Sequence, residues 1–156
     1  MSASKISVIG GGSFGTVIAN ITADTGHDVW FWMRSKSQAA DINKHHENSQ
    51  YLPGYKLNES VFATEDMVEA VSGSEVIFVA VPSSSFRQVV KEVVKHASAD
   101  AILVSTTKGI EPGTFLLMSQ VLKEEAPNAR IAVLSGPNLA KEIASKQLTG
   151  TVVASS

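Results

Sequence analysis

The stretch Ile6-Ser7-Val8-Ile9-Gly10-Gly11-Gly12-Ser13-Phe14-Gly15-Thr16 decides the fold of this chain. An apolar run rich in β-branched residues ends in glycines, and a helical pattern begins immediately after them. Gly10, Gly12 and Gly15 match G-x-G-x-x-G in the strand–turn–helix context that this fingerprint requires. Gly10 permits the sharp turn, Gly12 lets a pyrophosphate approach the backbone, and Gly15 lets the helix pack closely on the strand. The stretch therefore predicts a dinucleotide-binding turn; the alternative is a glycine-rich turn without a ligand.

Strand-like and helix-like segments alternate along the rest of the chain. Val17, Ile18 and Ile21 recur at helical spacing after the glycines. The continuous apolar run at 75–81 is typical of a central strand in a parallel sheet. This alternation predicts an α/β fold of the Rossmann type, a doubly wound, mostly parallel sheet with helices on both faces. The length of 156 residues suits one dinucleotide-binding domain over residues 1–156.

Three local features refine this interpretation. A helix is predicted after Pro112-Gly113, running through Phe115, Leu116, Val121 and Leu122. The serines at 83–85 follow Pro82 at the start of another predicted helix, and Ser is a preferred N-cap residue. By the same rule Asn138 is expected to cap the helix predicted over 139–145, and it can also present its amide to a ligand.

Composition and charge exclude several functions. The 13 basic and 15 acidic residues give a net charge of −2 without a basic cluster, which argues against nucleic-acid binding. The chain has no cysteine, so disulfide and thiolate chemistry are excluded. The adjacent His45-His46-Glu47 lacks a second ligand cluster, which predicts that no metal is bound. No apolar run is long enough to span a bilayer, and residues 1–5 lead straight into a strand without a signal peptide, so we expect a cytoplasmic protein.

Arg34 lies at the end of the second predicted strand. In NAD-binding fingerprints this strand end carries an acidic residue that bonds the ribose 2′-hydroxyl. Here the sequence is Arg34-Ser35-Lys36, with no carboxylate. A guanidinium suits a 2′-phosphate, which a carboxylate would repel, so Arg34 favours NADP over NAD. The alternative is a solvated strand end whose arginine stacks on the adenine.

Four groups follow the predicted strands at the edge where ligands bind in open α/β sheets. They are the glycine loop, Pro82-Ser83, Lys108 and Gly136-Pro137-Asn138. Lys108 follows a buried strand and precedes a glycine, so it is a candidate anchor for a phosphate or a polarised carbonyl; its alternative is a solvated surface lysine. The sequence has no nucleophile elbow, C-x-x-C or Walker loop to support hydrolase, redox-thiol or NTPase chemistry.

Taken together, the motifs resemble the bacterial type of NAD(P)-dependent glycerol-3-phosphate dehydrogenase, and the resemblance covers the whole chain. The motifs occur in family order, and the last two are more specific than the glycine fingerprint. They are the Gly10–Thr16 loop, Asn48 with Tyr51-Leu52-Pro53-Gly54, Ala80-Val81-Pro82-Ser83, Thr107-Lys108-Gly109-Ile110-Glu111, and Ser135-Gly136-Pro137-Asn138-Leu139-Ala140-Lys141-Glu142.

The resemblance implies roles for particular residues. Lys108 would contact both cofactor and substrate and orient the substrate during catalysis, while the family usually carries serine or alanine at the position of Asn138. The expected cofactor-binding residues are Gly10, Gly12, Ser13, Phe14, Gly15, Arg34, Pro82, Lys108 and Ala140, and the expected substrate-binding residues are Lys108, Gly136 and Asn138.

The resemblance also implies an activity. Family members interconvert dihydroxyacetone phosphate and glycerol 3-phosphate by hydride transfer with NADP or NAD, for glycerophospholipid synthesis. They carry a second, helical domain with the proton-accepting lysine, which no lysine of this chain matches. We therefore expect a cofactor-binding domain that is inactive alone and could form a homodimer. Two alternatives remain: another Rossmann hydroxyacid dehydrogenase of the same superfamily, and a non-enzymatic dinucleotide-sensing module.

Overall fold

A computed structural model describes residues 4–155, which form a seven-stranded sheet in the order β3-β2-β1-β4-β5-β6-β7. The first six strands are parallel, and the seventh pairs antiparallel with the sixth. The order 3-2-1-4-5-6 is that of dinucleotide-binding doubly wound sheets, so the predicted fold class is confirmed. The strands are β1 (Lys5–Ile9), β2 (Asp28–Trp32), β3 (Val61–Thr64), β4 (Val76–Val79), β5 (Ile102–Ser105), β6 (Arg130–Ser135) and β7 (Val152–Ser155).

Helices cover both faces of the sheet, because successive side chains of each buried strand point to opposite faces. On one face, α1 and α2 pack over residues such as Phe31 of β2. On the other, α3, α4 and α5 pack over β4 and β5, with Phe86 of α4 fully buried. The helices in the described part of the chain are α1 (Ser13–Asp24), α2 (Lys36–His45), α3 (Met67–Val71), α4 (Ser83–Val94), α5 (Met118–Glu125) and α6 (Ala140–Ala144).

The strand order reverses between β1 and β4, which lie side by side. At such a point the chain leaves neighbouring strands toward opposite faces and opens a crevice at their carboxyl ends. The glycine loop after β1 and residues 80–82 after β4 flank this crevice. Gly10 N–H donates to the Trp32 carbonyl (2.9 Å) and Ala80 N–H to the Ile9 carbonyl (2.8 Å), so both segments are fixed to the sheet.

The helix predicted through Phe115 and Leu116 is wrong in its first part. Helix α5 begins only at Met118, and the preceding residues form a narrow turn closed by an antiparallel bridge between Ile110 and Leu117. Phe115 has a φ of 61°, which no α-helix accommodates, and its side chain is exposed. The apolar spacing fits a helix, but the turn after Pro112-Gly113 gives these residues a backbone conformation that is not helical, so the helix begins only after the turn.

The predicted side-chain caps are also wrong. Pro82 is the N-cap of α4 and has no side-chain acceptor, while Ser83 is already the first helical residue. The N-cap of α6 is Leu139, so Asn138 lies one position too early to cap that helix. The Asn138 side chain makes other hydrogen bonds, which belong to the candidate site.

Candidate functional site

Gly10, Gly11 and Gly15 each leave room for a different neighbouring group of the protein. A Cβ on Gly10, whose φ is 126°, would lie 2.3 Å from the Ala80 carbonyl oxygen. A Cβ on Gly15 would lie 2.0 Å from the Gly10 carbonyl oxygen, so helix and loop approach as closely as predicted. Gly11, which the sequence analysis assigned no role, is also constrained, because its Cβ would lie 2.7 Å from the Cβ of Met33.

Gly12 differs from these glycines, because a Cβ there would meet no atom of the protein within 4 Å. Packing within the chain therefore does not explain the absence of a side chain. Gly12 is also the N-cap of α1, which has neither a side-chain cap nor an acidic residue in its first turn. The positive end of the helix dipole and its free N–H groups thus face open space, as an anion-binding site requires.

A cavity of about 380 Å³ begins at Gly12 and runs along the carboxyl ends of β1, β2 and β4. Gly10, Arg34 and Pro82 line it, as does Tyr51 from the loop after α2. Arg34 is exposed, and its guanidinium makes no hydrogen bond or ion pair with residues 4–155. The next lysine, Lys36, lies 3.6 Å from the carboxylate of Glu65, which neutralises part of its charge.

A second cavity, of about 300 Å³, shares Ala80 and Val81 with the first and extends across β5. It brings together the predicted residues Ser13, Phe14, Lys108, Asn138 and Ala140. Gly15 and Gly136 line neither cavity and act through the backbone packing that they permit. The structure thus gathers the predicted site residues along one edge of the sheet.

Lys108 reaches across this second cavity. Its ammonium donates to the Gly136 carbonyl oxygen and to the Asn138 Oδ1, both at 2.8 Å, and lies 5.9 Å from the centre of the Phe14 ring. Asn138 is 2% exposed, and its amide nitrogen donates to the Thr151 hydroxyl at 3.1 Å. Two of the three ammonium protons are therefore held by the protein, which fixes the direction of the charge.

A cluster of charges that sequence reasoning missed holds the segment carrying Lys108. The Arg87 guanidinium on α4 donates to Glu111 through Nε and Nη2, at 2.7 and 2.8 Å. It also contacts the carboxylates of Glu124 and Glu125 on α5, at 2.7 and 2.5 Å. The hydrogen bonds from Arg87 and, next, from the Thr114 hydroxyl lower the pKa of Glu111 to about 2, so its charge persists well into the acid range.

Gln38 and Asn48 are further residues that the sequence analysis left without a role. The Gln38 Nε2 donates to the Gly11 carbonyl oxygen at 2.7 Å, and the Asn48 Nδ2 donates to the same oxygen at 3.0 Å. Asn48 is 1% exposed, although it lies in a polar loop between α2 and β3. Its place in a motif was the only available signal, because neither residue stands out by local spacing.

The described part of the chain has neither a metal-binding cluster nor a membrane-spanning helix. Within residues 4–155 no group of three His, Asp or Glu side chains converges as a metal site would require. None of the helices described above combines the length and the apolar character needed to cross a bilayer.

The strand order, the crevice between β1 and β4 and the glycine loop together define the class: a Rossmann-type nucleotide-binding domain. The comparison with known families gives the particular family. The sequence profile described as "NAD-dependent glycerol-3-phosphate dehydrogenase N-terminus" matches residues 5–156. The chain belongs to this family, as its motifs indicated, and not to another branch of the hydroxyacid dehydrogenases.

Curated relatives and solved structures agree with this assignment. Glycerol-3-phosphate dehydrogenase [NAD(P)+] of Teredinibacter turnerae is 52% identical over 151 residues, which are 97% of this chain and 44% of the relative. The enzyme of the same name from Saccharophagus degradans is 50% identical, over 96% of the chain and 42% of the relative. This chain spans less than half the length of these relatives.

Among solved structures, glycerol-3-phosphate dehydrogenase from Coxiella burnetii superposes with a TM-score of 0.91 at 30% identity, covering 98% of this chain and 47% of that one. The Saccharomyces cerevisiae enzyme gives a TM-score of 0.88 at 27% identity, covering 99% and 48%. The fold of this chain is therefore that of the corresponding part of these enzymes.

Proposed function

We propose that this chain is the cofactor-binding domain of a glycerol-3-phosphate dehydrogenase that binds NADP in preference to NAD. The observation that carries the proposal is Gly12, which keeps a helix N-terminus open where the chain itself needs no glycine. A pyrophosphate fits this cradle because its charge complements the helix dipole and its oxygens accept from backbone N–H groups. The family assignment supports the same ligand.

The two adjoining cavities divide the expected ligand contacts. Gly10, Gly12 and Pro82 would hold the pyrophosphate side of the cofactor, and Arg34 its adenosine end. Ser13, Phe14, Gly15, Lys108 and Ala140 complete the proposed cofactor contacts. Lys108, Gly136 and Asn138 would contact the substrate, a three-carbon phosphate that carries a carbonyl or hydroxyl group.

The reaction proposed for the whole enzyme is the interconversion of dihydroxyacetone phosphate and glycerol 3-phosphate, a step that supplies glycerophospholipid synthesis. The bound nicotinamide supplies or accepts the hydride. Lys108 offers its third ammonium proton to the negative charge of the substrate, and the Gly136 carbonyl and Asn138 hold that ammonium in place. We assign the general acid to parts of the longer enzyme that this chain does not match.

The same proposal includes a cytoplasmic location and a homodimer. Both follow from the sequence expectations, and neither is needed for the binding test below.

The test compares NADPH and NADH binding in the wild type and in Arg34→Ala, by calorimetric titration. A charge-assisted hydrogen bond contributes about 1.5–3 kcal/mol, and the exposure of Arg34 argues for the lower value. NADPH should therefore bind about tenfold tighter than NADH, and salt should narrow the difference. Arg34→Ala should remove most of the difference between NADPH and NADH affinity and leave the affinity for NADH nearly unchanged.

Arg130→Ala is the matched control. Arg130 begins β6 at the opposite edge of the sheet and donates to the Asp100 carbonyl, so its removal changes the net charge equally without touching the crevice. It should leave both affinities as they are. Equal binding of NADH and NADPH by the wild type would show that Arg34 does not bind a 2′-phosphate, and absence of both would refute the proposed function.

A further inference from the structure

The glycine loop is held from behind by two carboxamides. The Gly11 carbonyl oxygen accepts from the Gln38 Nε2 at 2.7 Å and from the Asn48 Nδ2 at 3.0 Å. The two amides are themselves joined, because the Gln38 Nε2 also donates to the Asn48 Oδ1 at 3.2 Å. One donor is enough to pair a buried backbone carbonyl, whereas the Gly11 carbonyl oxygen has two side-chain donors. The second donor restricts the orientation of this peptide group.

The next peptide unit is held in the same way through Thr16. The Asn48 Nδ2 donates to the Thr16 hydroxyl at 2.8 Å, and that hydroxyl donates to the Gly12 carbonyl oxygen at 2.8 Å. The Thr16 N–H donates to the same carbonyl at 2.9 Å. Both Asn48 and Thr16 are buried, so water does not compete for these bonds.

The orientation of these carbonyls decides where the following N–H groups point. In a trans peptide the C=O and the N–H lie on opposite sides, and no cis bond is present in residues 4–155. Fixing the carbonyls of Gly11 and Gly12 toward Asn48 and Thr16 therefore turns the N–H groups of Gly12 and Ser13 away from them. Neither N–H donates to any residue of the described chain.

We propose that Asn48, assisted by Gln38, is a positioning residue that aims the N–H groups of Gly12 and Ser13 at the pyrophosphate of the cofactor. The inference rests on the proposed function for the identity of the ligand, but the pre-set orientation of the two amides is a property of the free protein. Asn48 does not line the cavity at Gly12, although Gln38 does. Asn48 acts on the loop through the Gly11 carbonyl oxygen and through the Thr16 hydroxyl, which donates to the Gly12 carbonyl oxygen.

The loop that carries Asn48 strengthens this connection. The Asn48 carbonyl oxygen accepts from the Leu52 N–H at 2.8 Å, which closes a turn, and the Ser13 hydroxyl donates to the Tyr51 carbonyl at 2.8 Å. The turn is therefore bonded to α1 at two points, by Tyr51 to Ser13 and by Asn48 to Thr16. A purely structural role for Asn48 would stabilise this turn without affecting the direction of the loop amides.

The experiment uses the 156-residue chain with Asn48→Ala and Asn48→Asp, the second of which keeps the shape but not the donor protons. Asn43→Ala is the control: Asn43 also makes two backbone hydrogen bonds, both with Ala63 at 2.8 and 2.7 Å, between α2 and β3. The measurements are the ¹H–¹⁵N resonances of Gly12 and Ser13 without cofactor, the Kd for NADPH, and Tm.

Both Asn48 variants should shift or broaden the Gly12 and Ser13 resonances and raise the Kd for NADPH by about tenfold, as loss of a well-formed hydrogen bond to the ligand would. Asn43→Ala should lower Tm but leave those resonances in place and the Kd within about twofold. Gln38→Ala removes one of the two donors to Gly11 and should weaken binding by about threefold; it also serves if Asn48→Ala does not fold.

Unmoved Gly12 and Ser13 resonances in a folded Asn48 or Gln38 variant would overturn the inference, and so would an equal loss of affinity in Asn43→Ala. If the wild type binds no NADPH, the proposed function fails by itself. The resonances of the free protein then still decide whether Asn48 orients the loop.

Discussion

Replacing Gly12 by alanine tests whether a ligand occupies the space that this residue leaves open. The backbone at Gly12 has φ −82° and ψ −178°, which alanine adopts without strain, and its Cβ would meet no protein atom within 4 Å. Alanine restricts the unfolded chain, which stabilises by about 0.4–1 kcal/mol. Alanine is a poorer N-cap than glycine, by an amount of the same order. The free energy of unfolding should therefore change by less than about 1 kcal/mol.

Cofactor binding should respond very differently. The added methyl group projects into the open cradle at the start of α1, on the wall of the 380 Å³ cavity. A pyrophosphate that hydrogen-bonds to this backbone has to move away, and it loses at least one charge-assisted hydrogen bond of about 1.5–3 kcal/mol. We expect the Kd for NADPH to rise by about tenfold to a hundredfold.

The assay pairs chemical denaturation with calorimetric titration of NADPH, for Gly12→Ala and for Gly15→Ala. Gly15 belongs to the same fingerprint, but its Cβ would lie 2.0 Å from the Gly10 carbonyl oxygen, so this variant should lose stability as well as binding. An affinity of Gly12→Ala within twofold of the wild type would refute the reasoning. It would mean that the ligand does not approach the Gly12 backbone, and the open space would need another explanation.

Two further predictions concern the scaffold. Phe86→Ala should cost about 3–5 kcal/mol of unfolding free energy because its side chain is fully buried, whereas Phe62→Ala, at a site 43% exposed, should cost clearly less; denaturation measures both. Glu111→Gln should remove an acid-dependent part of the stability. The pKa of Glu111 is lowered from 4.5 to about 2 by Arg87, so its contribution is complete above about pH 4.5 and is lost as the pH falls toward about 2. The free energy of unfolding of the wild type should exceed that of Glu111→Gln most at neutral pH, and this difference should shrink as the pH falls from about 4.5 toward about 2. A difference that stays constant over this range would contradict the stabilising role assigned to the Glu111 carboxylate.

The prediction of the glycine turn succeeded because its requirements are local. The turn at Gly10 and the close approach of the helix at Gly15 depend on the strand before them and the helix after them, and both are encoded within a few residues. The approach of the Ala80 carbonyl to Gly10 comes from the segment after β4 and could not be predicted from this stretch. The predicted helix starting at Phe115 failed for a related reason. Its apolar spacing was read correctly, but the bridge between Ile110 and Leu117 closes a turn that excludes helix there.

Asn138 lines the second cavity, but the local interaction predicted for it, capping of the next helix, was wrong. Its position before a helix suggested a cap, yet its amide bonds Lys108, 30 residues earlier, and Thr151, 13 residues later. The cap rule considers only the adjacent turn of helix. A buried amide bonds whatever donors and acceptors the fold brings to it, and here these come from the ends of other strands.

The sequence by itself determined the fold class, the family and the edge of the sheet that carries the candidate site residues, because strand–helix alternation and the glycine spacing are local patterns. Only the tertiary structure decided which side chains hold the loops at that edge in place. Asn48 reaches Gly11 across 37 residues, and Arg87 reaches Glu111 across 24. These pairs form because Asn48, in the loop after α2, and Arg87, on α4, lie on segments that the folded sheet and its helices bring together whatever their separation along the chain. Hydrogen bonds across such distances leave no periodicity in the sequence from which they could be predicted.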